Sequence, residues 1–429
     1  MKVLIKNGQV IDSKNKRNEK LDILLVDGKI SKISKSISVN SDYEIDAKGM
    51  IVSPGFVDLH ANFCDPGATN REDLKSGSIA AAKGGYTHVV LGVDNKPAPS
   101  ESNVIDYINK YKEIMPTNLY PSAAVTIDRN GEDAADISFL YNHGAMAFYD
   151  GLKPINNKDI LVKVLEALKR IKKPLSIYSE ITKDIRERGI SKAGAKKISY
   201  KYYTEDDAEV TDLKENLEIT KAMSVPIDLA YVSDPKSLEE IEKAKSEGQI
   251  IYTEVTAMNL FFNDQAMKKC GVNAKVLPPL RSESDRKKLV KSLKGDLIDA
   301  ISSNHVPLEE DDKDESLKFK DVVSGTTMIE FVLGILGSLV DDGEIKWEDI
   351  LPKLTIGPAK VFSLDKDGAG SLEIGDVANI VIFNPKEKWK VKIENIVSKS
   401  KNTPLIGTEL VGKVKYTICN GKLIYRDKE

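Results

Sequence analysis

Apolar and polar positions alternate with period two at both ends of the chain and with a helical period through its middle. VLIKNGQVID, DILLVDGKISKI, ANIVIF and VKYTICNGKLIYRDK read as strands, with Asn7-Gly8, Asp27-Gly28 and Asn420-Gly421 as type I′ hairpin turns. These segments predict one small β-sandwich domain built from both termini, residues 1–52 and 365–429. Between them, strand and helix patterns take turns. GGYTHVVLGV is a strand after a Gly84-Gly85 helix stop. In NKDILVKVLEALKRIKKP the apolar residues at 160, 161, 164, 165, 168 and 171 share one helical face, and the strand LSIYSE follows Pro174. SDPKSLEEIEKAKSEG has Pro235 in a first-turn position and stops at Gly248, and QIIYTEVT is the next strand. Such an order predicts α/β architecture, a (β/α)8 TIM-type barrel over residues 53–364.

With 429 residues the chain is long enough to bury a large core. A net charge of −3 argues against a nucleic-acid or membrane surface, and no apolar run is long enough to span a bilayer. The first residues lack the apolar block of a signal peptide, and Cys64, Cys270 and Cys419 are odd in number and far apart, which fits a reduced cytoplasm. EEDDKDESLKFKD (residues 309–321) reads as a solvated loop.

The stretch IVSPGFVDLHANFCDPG puts His60 where an apolar strand ends. In a parallel barrel that end faces the active site. The stretch resembles the first barrel strand of the dihydroorotases, cyclic amidohydrolases whose pattern there is P-G-F-x-D-x-H-x-H-x-R-x-P-G. KVLPPLRSESDR, SSNHVPL and GAMAFYDGLKP resemble three further motifs of that family, in order and at matching spacing. The resemblance implies a zinc hydrolase opening a cyclic amide. It also implies which residues should carry the chemistry, and many are replaced. His60 and His305 remain. Asn62, Tyr178 and Tyr231 stand at zinc-histidine positions, Asn304 at the aspartate that binds zinc and shuttles the proton, and Cys64 at the arginine that grips the substrate carboxylate. Asp150 matches one of two paired aspartates, with Gly151 at the metal-bridging one. In the substrate contacts, Asp94 replaces an asparagine and precedes Asn95, and Leu277 replaces another asparagine. His88 and His143 lie outside the motifs and read as structural.

Zinc needs three or four N, S or carboxylate ligands. A neutral asparagine or tyrosine is a poor substitute, and without the metal, hydroxide at neutral pH is scarce. The resemblance therefore predicts a degenerate pocket, no bound cofactor, and a catalytically inactive dihydroorotase-like protein of pyrimidine biosynthesis, a homodimer that supports aspartate transcarbamoylase. The alternative is an active cyclic amidohydrolase with a reduced metal site around His60, Cys64, Asp150 and His305. Relatives of the dihydropyrimidinases that regulate the cytoskeleton are a third reading, which the PPLRS and NHVP motifs disfavour.

Overall fold

The computed structural model describes residues 1–182 and 185–428. Eight short strands make a parallel barrel: Phe56–Ala61, Tyr86–Leu91, Asn118–Tyr120 continuing as Ser122–Ala123, Ala147–Phe148, Leu175–Ile177, Ile227–Leu229, Ile251–Thr256 and Ala300–Ser302. Most of their residues are buried, which is why they read as apolar runs. The first and last strands are joined by side chain and backbone together. The buried Asp58 carboxylate accepts from Ser303 N at 2.8 Å and from Ser303 Oγ, and Asn62 N donates to His305 O at 2.9 Å.

The helices between strands carry the predicted signals. Lys158–Ile171 is capped by the Asn157 side chain and buries Ile160, Leu161, Val164, Leu165 and Leu168. Pro235–Ser246 starts at an Asp234 cap with proline in its first turn.

The two ends of the chain share one eight-stranded sheet. Its order is Lys422–Arg426, Glu409–Cys419, Ile380–Lys390, Ile51–Pro54, Lys2–Asp12, Arg17–Val26 and Lys29–Ser34, with Tyr43–Asp46 also beside Lys2–Asp12. Asp27-Gly28 and Asn420-Gly421 are tight turns, with both residues of each pair at positive φ. Asn7-Gly8 is not a turn. Lys2–Asp12 runs through it as one strand with a register shift between Ile5 and Gly8, so the pair makes a bulge. Gly8 is required there because a Cβ would strike the Val52 side chain. Helix Val332–Asp341 lies so close to strand Glu409–Cys419 that a Cβ on Gly337 would collide with the Val411 carbonyl.

The acidic run is largely exposed, with one exception. Lys313 is buried, donates to Val272 O and Lys275 O at 2.9 Å, and has its pKa lowered to about 7 by burial. His143 pairs with Asp106 at 2.8 Å near the surface. His88 is buried in its strand, 2.9 Å from Thr87 Oγ1 and stacked on Tyr120. Burial lowers the His88 pKa to about 4. Between that value and the ordinary imidazole range near 6.5 the unfolded chain binds a proton that the folded chain refuses, so stability is lost as pH falls. Chemical denaturation of wild type and His88→Gln should show the wild-type advantage narrowing between pH 7.5 and 4.5, by up to about 3 kcal/mol. A gap that stays constant with pH would remove His88 from the account.

Candidate metal centre

Three buried side chains from three strands meet inside the barrel: His60 at the end of the first, Asp228 in Ile227–Leu229 and Glu254 in Ile251–Thr256. One ligand atom from each lies within 4.8 Å of the others. His60 Nδ1 is 3.1 Å from Glu254 Oε2, and its Nε2 is 3.2 Å from Ser176 Oγ and 3.9 Å from Asp228 Oδ2. Ser176 Oγ donates to Asp228 Oδ2 at 2.8 Å.

All three groups are fully buried. Burial raises Asp228 to about 7 and Glu254 well above the carboxylate range, and it lowers His60. One proton assignment satisfies every short contact. A protonated Glu254 donates to His60 Nδ1, the His60 Nε2 proton goes to Ser176 Oγ, and the serine hydroxyl donates to Asp228. This still leaves Asp228 Oδ1 without a hydrogen-bond partner, and Glu254 Oε1 with only the neighbouring Ser302 hydroxyl. Two buried carboxylates with open lone pairs and an imidazole are a donor set that suits a divalent cation, and one imidazole with two carboxylates is within zinc's range.

The backbone is strained at the same place. His60, Tyr231 and Asn304 all have positive φ, at 63°, 61° and 48°, each where a strand ends or has just ended. Non-glycine residues hold such angles only where the surroundings enforce them, and they cluster at functional sites. His60 interrupts the ladder to the second strand between Asp58 and Ala61. Its ring is flanked by Tyr149, Phe362 and Tyr231, with centroids 4.2, 5.8 and 5.9 Å away.

The amidohydrolase family profile matches residues 51–424. The chain belongs to the amidohydrolase family. It is 36% identical over 428 residues to a dihydroorotase of Clostridium acetobutylicum, covering 99% of this chain and 100% of the relative. It is 33% identical to a dihydroorotase of Aquifex aeolicus, over the whole of both chains. Among solved structures, the L-hydantoinase (dihydropyrimidinase) of Arthrobacter aurescens superposes with a TM-score of 0.87 at 22% identity, covering 100% of this chain and 96% of that one. The dihydropyrimidinase of Brevibacillus agri gives 0.85 at 21%, with the same coverage. These two likenesses support the fold: an amidohydrolase barrel with a β domain.

Of the residues singled out in the sequence, only His60 belongs to the buried triad. Tyr178 donates through its hydroxyl to Glu180, which Arg188 pairs at 3.0 Å. Tyr231 reaches back to His60 O at 3.4 Å. Asn62 Oδ1 accepts from Asp94 N at 3.4 Å. Asn95 Nδ2 is 3.4 Å from Pro66 O. Asn304 Nδ2 donates to the Leu277 carbonyl at 2.7 Å, and its Oδ1 is buried without a partner. His305 Nδ1 accepts from Met328 N at 3.1 Å, so its proton sits on Nε2, 3.6 Å from Glu72.

The other two residual ligand candidates lie apart from the triad. The Asp150 carboxylate accepts from Val125 N, Thr126 N and Thr126 Oγ1. Burial raises the Cys64 thiol to about 12, so it holds its proton at neutral pH. Asp94, which stands at an asparagine position of the family, is paired with Arg129.

The expectation of no cofactor is corrected. The dihydroorotase relatives belong to a zinc-using family, and this chain brings His60, Asp228 and Glu254 together as a group able to hold an ion. The expectation followed from counting ligands at motif positions along the strand ends. Asp228 and Glu254 are neither motif residues nor strand-end residues, lying inside their strands. A carboxylate isolated in an otherwise buried strand, as in IDL and IYTEVT, was the available signal.

Zinc bound to the folded state alone should raise the melting temperature of wild-type protein first stripped with chelator, by the equivalent of about 2.7 kcal/mol at a hundredfold excess over Kd. Asp228→Asn and Glu254→Gln, which keep shape and lose charge, should remove that rise while the stripped variants melt no lower than stripped wild type. An equal zinc response in all three proteins would place the metal elsewhere.

Proposed function

We propose that this chain is a dihydroorotase-type cyclic amidohydrolase of pyrimidine biosynthesis, opening a ring amide C–N bond at a reduced, single-metal site. The observation that carries the reading is the His60–Asp228–Glu254 triad beneath strained strand ends. Full-length identity to proteins named dihydroorotase supports the substrate class. His60, Asp228 and Glu254 would hold the cation, which when bound acidifies water at neutral pH. Before a cation binds, Glu254 and His60, 3.1 Å apart, share a proton that loading would release. Tyr149, Tyr231 and Phe362 pack around His60 and keep bulk water from it.

A second reading has its own observation. Tyr178 and Tyr231 fill positions where the family has histidines, their rings 6.5 Å apart and both buried, and Asn304 cannot take the proton an aspartate would. Under this reading the fold is kept for its surface, as a homodimer or beside aspartate transcarbamoylase, and does not turn over.

The deciding experiment is a dihydroorotate hydrolysis assay on zinc-loaded protein, run beside Glu254→Gln. Turnover above the no-enzyme control that falls by about a hundredfold or more in the variant supports the enzyme. Loaded protein with no turnover, co-purifying with the transcarbamoylase of the same organism, supports the second reading.

A further inference from the structure

The overall charge of −3 conceals a basic cleft of about 810 Å³ between the terminal sheet and helix Val332–Asp341. It shares no residue with the triad. Its lining carries seven cationic side chains and three carboxylates. The carboxylates are already engaged. Glu330 pairs with Lys83 at 3.0 Å and accepts from Val397 N and Ser398 N. Glu387 and Asp427 are bridged by Lys413 and Lys415 in a closed ring of four charges, with Asp427 3.0 Å from Lys413 and 2.5 Å from Lys415. Lys388 is 3.2 Å from Asp341. Among the described residues, Lys390, Lys392, Arg426 and Lys428 add positive charge beyond that of the three lining carboxylates.

An aromatic wall lies among these cations. Trp389 is half-buried, fixed by its Nε1–H donating to Gly412 O at 2.8 Å and by stacking on Phe331 at 25° between ring planes. A cleft of this volume suits a small ligand rather than a flat protein contact. Lysine and arginine select phosphate oxygens, and a fixed indole selects a planar ring. We propose that the cleft binds a nucleoside phosphate, its base against Trp389 and its phosphates among Lys390, Lys392, Arg426 and Lys428.

The chain has two tryptophans, and the other, Trp347, is buried against Phe383. Trp347→Phe therefore leaves Trp389 as the sole tryptophan, read selectively by exciting beyond the tyrosine absorption. Titration of that full-length variant with adenosine triphosphate should quench its emission saturably. Inorganic triphosphate should bind more weakly and leave the emission unchanged. Adding Lys390→Gln, Lys392→Gln and Arg426→Gln, all exposed sites, should weaken nucleotide binding by about tenfold or more with the melting temperature unchanged. The proposal is overturned by no saturable quenching at millimolar nucleotide, or by affinity unchanged in the charge variant. It is also overturned by inorganic triphosphate binding as tightly as the nucleotide, or by a poly-glutamate peptide that binds and displaces it, since an acidic protein partner would then be the better occupant.

Discussion

Two carboxylates and an imidazole buried together inside the barrel are the constraint around which the site is arranged. An isolated charge at such a depth is too costly to keep, so Asp228 and Glu254 must be protonated, share a proton through His60 and Ser176, or hold a cation. The raised carboxylates, the depressed imidazole and the unpaired Asp228 oxygen are consequences of that one burial. A proton satisfies the pair only partly, whereas a divalent ion would use the open lone pairs as well. The same burial explains why His60 can stay at a positive φ: contacts to Glu254, Ser176 and three aromatic rings hold it from all sides.

Around this centre the amidohydrolase frame is intact, and the strand-end side chains are engaged in packing and hydrogen bonds. Tyr178 is tied to Glu180 and Arg188, Asn304 to the Leu277 carbonyl, and Asp94 to Arg129. Each of these side chains is locally satisfied or nearly so. Asn304 Oδ1, one of several buried polar atoms there without a partner, belongs to a residue held at a positive φ.

The barrel and the terminal sheet were legible in the sequence because periodicity is local. Strand and helix signals alternate with clear caps at Asn157 and Asp234, and Asp27-Gly28 and Asn420-Gly421 set real turns. Asn7-Gly8 misled because an asparagine at positive φ before a glycine serves a bulge as well as a turn, and here the glycine is needed for its close approach to Val52. The triad was illegible for the opposite reason. His60 meets Ser176 and Glu254 across 116 and 194 residues of chain, and no motif links them. Strand-end motifs report what a family places at the mouth, and say nothing of carboxylates set inside the strands. The basic cleft was hidden in the same way, since its cations come from segments far apart in the chain and cancel in the net charge.

The central claim is that the metal position is the buried triad. Anomalous diffraction from a crystal grown with zinc, measured on both sides of the zinc absorption edge, tests it most directly. The account predicts one strong peak per chain, bounded by His60, Asp228 and Glu254. A peak at Cys64, Asp150 or His305 with none at the triad, or no peak inside the barrel, would contradict it.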